Sequence, residues 1–211
     1  MQRRAPGFTL VELLVVIGII GLLAAALLPE LLGAHQSANI ADTEARMVQL
    51  EAAANAFKAD KGYCPPDNFV DPLKKLEFKR DNGTNTGIES LVAFLCSDRG
   101  YVDASELEKN FSNTDNDDNG AKIERLGRSS RVEVKDAWGT PIAYFSARGA
   151  GYAQVQKIQL GDEDGGTLLE ARAWRNSEGG YLGIGTFQLV SAGPDRKFNT
   201  DDDITVPRRQ P

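Results

Sequence analysis

The chain has 211 residues, with 24 Lys and Arg against 30 Asp and Glu and a formal net charge of −6. That length suits one globular domain with a further segment attached, and the acidic balance excludes a general grip on nucleic acid, which needs clustered cations to displace phosphate counterions. Two cysteines and one histidine, His35, are too few for a zinc centre, and no nucleophile, base and orienting group can be assembled around that histidine, so an enzyme is not expected.

A short basic leader carrying Arg3 and Arg4 precedes residues 7–29, GFTLVELLVVIGIIGLLAAALLP. Residues 13–28 hold no charged or strongly polar side chain, and counted from Phe8 the run reaches residue 28, roughly 30 Å of helix and one bilayer crossing. Arg3 and Arg4 stay on the cytoplasmic side by the positive-inside rule, which places the rest of the chain across the membrane, in the periplasm of a diderm bacterium. Glu12 interrupts the run. An ionised carboxylate there costs on the order of 2.5–3.5 kcal/mol unless it finds a partner; it either serves a purpose or snorkels to the headgroups of a plain anchor.

Leader, Gly7, Phe8-Thr9-Leu10, Glu12 and the apolar run stand in the order of the class III signal of type IV pilins and type II secretion pseudopilins, which this segment closely resembles. An ordinary secretory signal has its apolar region before the cut and loses it; here the apolar segment follows the candidate cut and is retained. The resemblance implies cleavage between Gly7 and Phe8 by a prepilin peptidase, methylation of the new amino terminus, and pairing of Glu12 with the terminal amine of a neighbouring subunit. It divides the chain into a leader (1–7), a transmembrane helix segment (8–28), an amphipathic continuation (29–62) and a globular pilin-like head (63–211).

Pro29 could kink the helix, but Leu31, Leu32 and an alanine-rich sequence resume helix-forming character at once. Ile40, Met47, Leu50, Ala54 and Phe57 fall on one helical face, with Asp42, Glu44, Arg46, Gln49, Glu51 and Lys58 opposite. Gly62 and then Cys64-Pro65-Pro66 end the helix. Cys64 and Cys96 both lie in the exported part, where a disulfide can form; the alternative is two separate thiols, one of them in a helix core. Residues 65–82 read as a loop. Thr86 caps a short helix over 87–96, with apolar residues clustered at 88, 91, 92 and 95, and 105–109 forms one more turn. Short strands are expected at 142–146, 153–160, 168–174 and 185–190, making a small, mostly antiparallel sheet under the amphipathic helix and an α+β fold.

Two acidic loops remain. Residues 191–204, SAGPDRKFNTDDDI, crowd carboxylates into a tight turn, which suits a hard cation as well as a solvated acidic loop. The stretch is similar to the C-terminal calcium loop of the major, G-type pseudopilin, and Asp136-Ala137-Trp138-Gly139 to the D-P-W-G turn of that family. The resemblance implies Ca²⁺ bound by the carboxylates of Asp195, Asp201 and Asp202 and the main-chain carbonyls of Ala192 and Lys197, with Asp203 able to replace a neighbour. In the other loop, residues 113–120, Asp115-x-Asp117-x-Asn119-Gly120 opens like an EF-hand, but Leu126 stands at the twelfth position and Glu124 falls two residues early. A hydrophilic turn is the expectation there, with a second calcium site as the alternative.

The resemblance implies a type IV pilin-like fold and a structural subunit of a type II secretion pseudopilus. Such a homo-oligomeric helical filament is anchored in the inner membrane before assembly and works with a prepilin peptidase, a secretion platform and minor pseudopilins. The alternative is a type IV pilin for adhesion, motility or DNA uptake. Segments 66–83, about 100–133 and 148–180 are longer than a compact major pseudopilin needs, and are expected to decorate the filament or mark a specialised subunit.

Overall fold

The computed structural model describes residues 9–73, 78, 81–97, 100–118, 120, 122–123, 125–147, 152 and 155–209. The elements in chain order are α1 (Leu10–Lys61), α2 (Thr86–Ser97), α3 (Ala104–Leu107), β1 (Phe111–Ser112), β2 (Glu133–Val134), β3 (Ala143–Ser146), β4 (Gln156–Gln159), β5 (Leu168–Ala171), β6 (Phe187–Ser191) and β7 (Ile204–Val206). Contacts divide the chain into two units, Met1–Asn39 and Ile40–Pro211.

Of the first unit, the described part is essentially the N-terminal portion of α1. Its large apolar side chains, among them Leu13, Ile17, Ile20, Leu23 and Leu27, are all exposed. The helix is long and apolar enough to cross a membrane.

In the second unit the predicted stripe on α1 is buried: Met47, Leu50, Ala54 and Phe57 are in the core, joined by Ala53 and Thr43. Gly62 ends the helix at a φ of +83°, its N–H donating to Lys58 O at 2.8 Å. Residues 40–61 fall in the same unit as the rest of the head, as a helix that lays its apolar stripe on it should.

α2 differs from its prediction in two ways. Thr86 is its first helical residue, and the Thr86 hydroxyl bonds the Asp81 carboxylate instead of capping its own helix. The helix is also buried from Gly87 to Ser97 without a break, not along one stripe. Gly87 explains how close the packing is: a Cβ there would lie 2.2 Å from Tyr144 O and 2.3 Å from the Gln156 side chain.

The strands form three antiparallel ladders rather than one sheet: β1–β2, β3–β6–β7 with β6 central, and the β4–β5 hairpin. β3 lies between two cores. Tyr144 joins α1, α2 and Leu189 on one side, while Ala143 and Phe145 face Ile158, Ala171, Val190 and Phe198 on the other, which is why all four β3 residues are buried. The long segment between α2 and β3 is not decoration. Leu107, Ile123, Leu126 and Val132 enter the same core as α2, and Tyr101 N and Arg125 N donate to Leu95 O and Cys96 O at 2.9 Å each, closing the C-terminal end of α2.

The disulfide expected between Cys64 and Cys96 is not formed. Both are free thiols, Cys64 half-buried and Cys96 buried in α2, where it packs as a small apolar side chain.

Candidate functional site

Gly7 and Phe8, the expected processing pair, lie outside the described residues. Glu12 lies in the first turn of α1 and Thr9 precedes the helix. Thr9 N and Thr9 Oγ1 both reach Glu12 Oε2, at 2.9 and 2.7 Å, and Thr9 Oγ1 lies 3.2 Å from Glu12 N. This is a capping box, in which a threonine and a glutamate three residues on satisfy each other's main-chain donors. The T-x-x-E step from Thr9 to Glu12 carries this signal in the sequence. Both bonds from Thr9 fall on Oε2, so Oε1 remains available to a further donor.

The C-terminal acidic loop joins β6 to β7. Ala192 is buried, and Gly193 turns the chain at a φ of +65°, where a Cβ would come within 2.3 Å of Asp202 O. Asp195 N donates to Asp202 Oδ2 at 3.0 Å and Lys197 N to Asp195 Oδ1 at 2.7 Å, so three of the five expected ligands are linked in one turn. Asp201 is exposed, and its carbonyl accepts from Arg209 Nη2 at 2.6 Å. Asp203 points elsewhere: its Oδ2 accepts from Trp174 Nε1 at 2.8 Å and Asn199 N at 2.9 Å, and burial pushes its pKa up to about 6. It braces the loop. Further braces run to the β4–β5 hairpin, where Asn199 Nδ2 donates to Glu170 O at 2.9 Å and Arg196 pairs with Asp164.

The D-A-W-G turn is fixed by its aspartate. Asp136 Oδ1 accepts from Trp138 N at 3.0 Å and Thr140 N at 2.9 Å, and Oδ2 from Ser191 Oγ at 2.8 Å, tying the turn to the end of β6 just before the acidic loop.

A family model, the prokaryotic N-terminal methylation motif, matches residues 2–28. The type II secretion system core protein G of Escherichia coli strain K12 is 27% identical over 202 residues, covering 96% of this chain and 90% of the relative. That of Vibrio cholerae is 27% identical over 165 residues, covering 78% and 87%. These matches support a pseudopilin of the type IV pilin-like superfamily. The chain is also 62% identical over 38 residues to the type IV wide pilus major component of Thermus thermophilus, a match to 18% of this chain and 29% of that one. No solved structure matches. The methylation motif and the exposed apolar helix suit a subunit anchored in a membrane.

Proposed function

We propose that this chain is a pseudopilin, a structural subunit of a type II secretion pseudopilus, held in the inner membrane with its head in the periplasm and assembled into a filament that drives protein export. The reading is carried by one observation: the apolar part of α1 is exposed along its length in the isolated chain, while further along the same helix the apolar stripe of Met47, Leu50, Ala54 and Phe57 is buried. An apolar surface of that extent needs lipid or further copies of itself to cover it. Lipid supplies no partner for Glu12, so the step from bilayer to filament is governed by the carboxylate rather than by apolar contact. In the filament its open Oε1 receives the methylated amine of Phe8 from the next subunit, setting register more than stability. The relatives matched over most of their length are core protein G, whereas the pilus component matches over 38 residues, which favours the pseudopilus over a surface pilus.

Calcium in the C-terminal loop is part of this proposal. The donors there are all hard oxygens, as calcium prefers, and a flexible loop suits it better than magnesium. Asp195, Asp201 and Asp202 would hold it with the carbonyls of Ala192 and Lys197, fixing the loop against β6 so that neighbouring heads meet a constant surface.

The test is expression of the chain with a prepilin peptidase and the assembly platform. The mature protein should begin with methylated Phe8, and Glu12→Ala should insert in the membrane yet form no filament. An unprocessed amino terminus, or normal filaments from Glu12→Ala, would refute the proposal.

A further inference from the structure

The strongest unassigned chemistry in the head is a group of buried acids. Asp81, Glu89 and Asp117 each bring an oxygen within 4.8 Å of the others, and so do Glu89, Asp115 and Glu133. Glu89 belongs to both groups. They gather from separate parts of the chain: Glu89 from the first turn of α2, Asp115 and Asp117 from the EF-hand-like loop, Glu133 from β2 and Asp81 from the segment before α2.

Within the group, charge is balanced on one side only. Arg131, 1% exposed, donates to Asp81 at 2.8 Å and Asp117 at 2.7 Å. Among the described residues no lysine or arginine pairs with Glu89, Asp115 or Glu133. Glu133 is held by Asn85 Nδ2 at 2.7 Å and Thr114 N at 3.1 Å, and Asp115 Oδ2 accepts from Asn82 Nδ2 at 2.9 Å. Glu89 is 1% exposed and has no hydrogen bond to either carboxylate oxygen, while Asp115 Oδ1 and Asp117 Oδ1 are likewise buried and unpartnered.

An unsatisfied buried carboxylate oxygen is costly, and two triads of acids that meet at Glu89 require either protons or a cation. Burial, reinforced by Asp115, Asp117, Glu133 and Asp81, pushes the Glu89 pKa up to about 11 without an ion. Protonation of Glu89 neutralises one acid but still leaves the others facing inward. A cation in the Glu89, Asp115 and Glu133 triad answers both oxygens of Glu89 and the Asp115 Oδ1 left unpartnered there. An O···O span of 4.8 Å equals the diameter of a shell at about 2.4 Å, within the calcium–oxygen range. The donors are oxygens only, and Glu89 offers both of its own for bidentate binding, the part played by the twelfth-position glutamate that the loop lacks. Magnesium, which keeps several waters in a strict octahedron, suits so buried a set less well.

We propose that the head holds a calcium ion between α2, the 113–118 loop and β2, bound by Glu89, Asp115 and Glu133 with Asp117 Oδ1 at its edge, separate from the C-terminal loop. Such an ion ties the buried start of α2 to the segment that covers it.

The test uses the full chain in detergent, with bound calcium counted by native mass spectrometry and thermal melting followed in calcium, magnesium or chelator. Asp195→Ala/Asp202→Ala removes the C-terminal loop from the count, so the two sites are judged apart. In that background one ion per chain should remain, and a hundredfold excess of calcium over Kd should raise Tm by ~5–10 °C. Adding Glu89→Gln, which mimics the neutral acid, should remove the ion and the calcium-dependent shift while leaving Tm in chelator unchanged or higher. Asp115→Asn should weaken binding in the same way. The proposal is overturned if the background binds no calcium, if Glu89→Gln and Asp115→Asn both retain the ion, or if magnesium gives the same count and shift.

Discussion

Helix propensity alone predicts that Gly87→Ala would stabilise α2 by about 1 kcal/mol. The structure reverses the sign. The new Cβ would lie 2.2 Å from Tyr144 O, 2.3 Å from Gln156 Oε1 and 2.5 Å from Gln156 Nε2, whereas carbon and oxygen ordinarily approach to ~3.3 Å. About 1 Å of retreat is therefore needed. Tyr144 O is backbone in β3, which is paired to β6, and it also accepts from Gln156 Nε2, so neither obstacle can simply turn away. Overpacking of this kind costs ~1–3 kcal/mol, and a backbone obstacle puts the cost at the upper end. After the propensity gain, a net loss of about 2 kcal/mol remains, or ~4–8 °C in Tm for a unit of this size. Calorimetry of the full chain in detergent with chelator would measure it. Gln156→Ala in the same chain should recover only part of the loss, because Tyr144 O stays in place. A Gly87→Ala protein melting at or above wild type would show that α2 does not pack on β3 as closely as described.

Asp136→Ala removes the acceptor for Trp138 N, Thr140 N and Ser191 Oγ at a buried site, so chemical denaturation should show a loss of about 1–3 kcal/mol. Asp195→Ala with Asp202→Ala should lower Tm more in calcium than under chelation, where only the loop hydrogen bonds of the two carboxylates are lost; an equal drop in both would mean that the C-terminal loop binds nothing. Burial raises the pKa of Cys64 and pushes that of Cys96 up to about 11. Alkylation at pH 8 should therefore leave Cys96 unmodified in the folded protein, and unfolding without reductant should label both thiols. No label on the unfolded chain would reveal a bridge.

The features legible in the sequence were those with a period or a stop signal. The apolar run, the 47–57 stripe and the Gly62–Cys64–Pro65 ending placed α1 to within two residues, and β3 and β6 followed from apolar stretches between turn residues. β1 and β2 have two residues each and β7 three, too short to show alternation, and their pairing is set by what the loops bring together. Glu89 was hidden for a different reason. In a helix with apolar residues at 88, 91, 92 and 95 it reads as a solvent-side acid, and Ser90 as its neighbour on that side. Burial of the whole helix turns both inward: Ser90 Oγ donates to Pro66 O at 2.6 Å and receives Phe69 N at 3.0 Å, while Glu89 joins the acids of a loop whose own spacing lacks the final ligand. The capping box was the one site feature that could have been read directly, from the three-residue step between Thr9 and Glu12.

α2 has no outward side, and that restricts how a subunit can be recognised. In a packed fibre each copy shows its neighbours only its outer skin, and over this helix the cover includes polypeptide from the stretch between α2 and β2 as well as the segment around Pro66 and Phe69. Lateral fit can drift there, one exposed position at a time, while the axis beneath stays constant. Trimming the stretch wholesale is another matter, because it would strip Leu107, Ile123, Leu126 and Val132 from the interior and leave the helix bare to water.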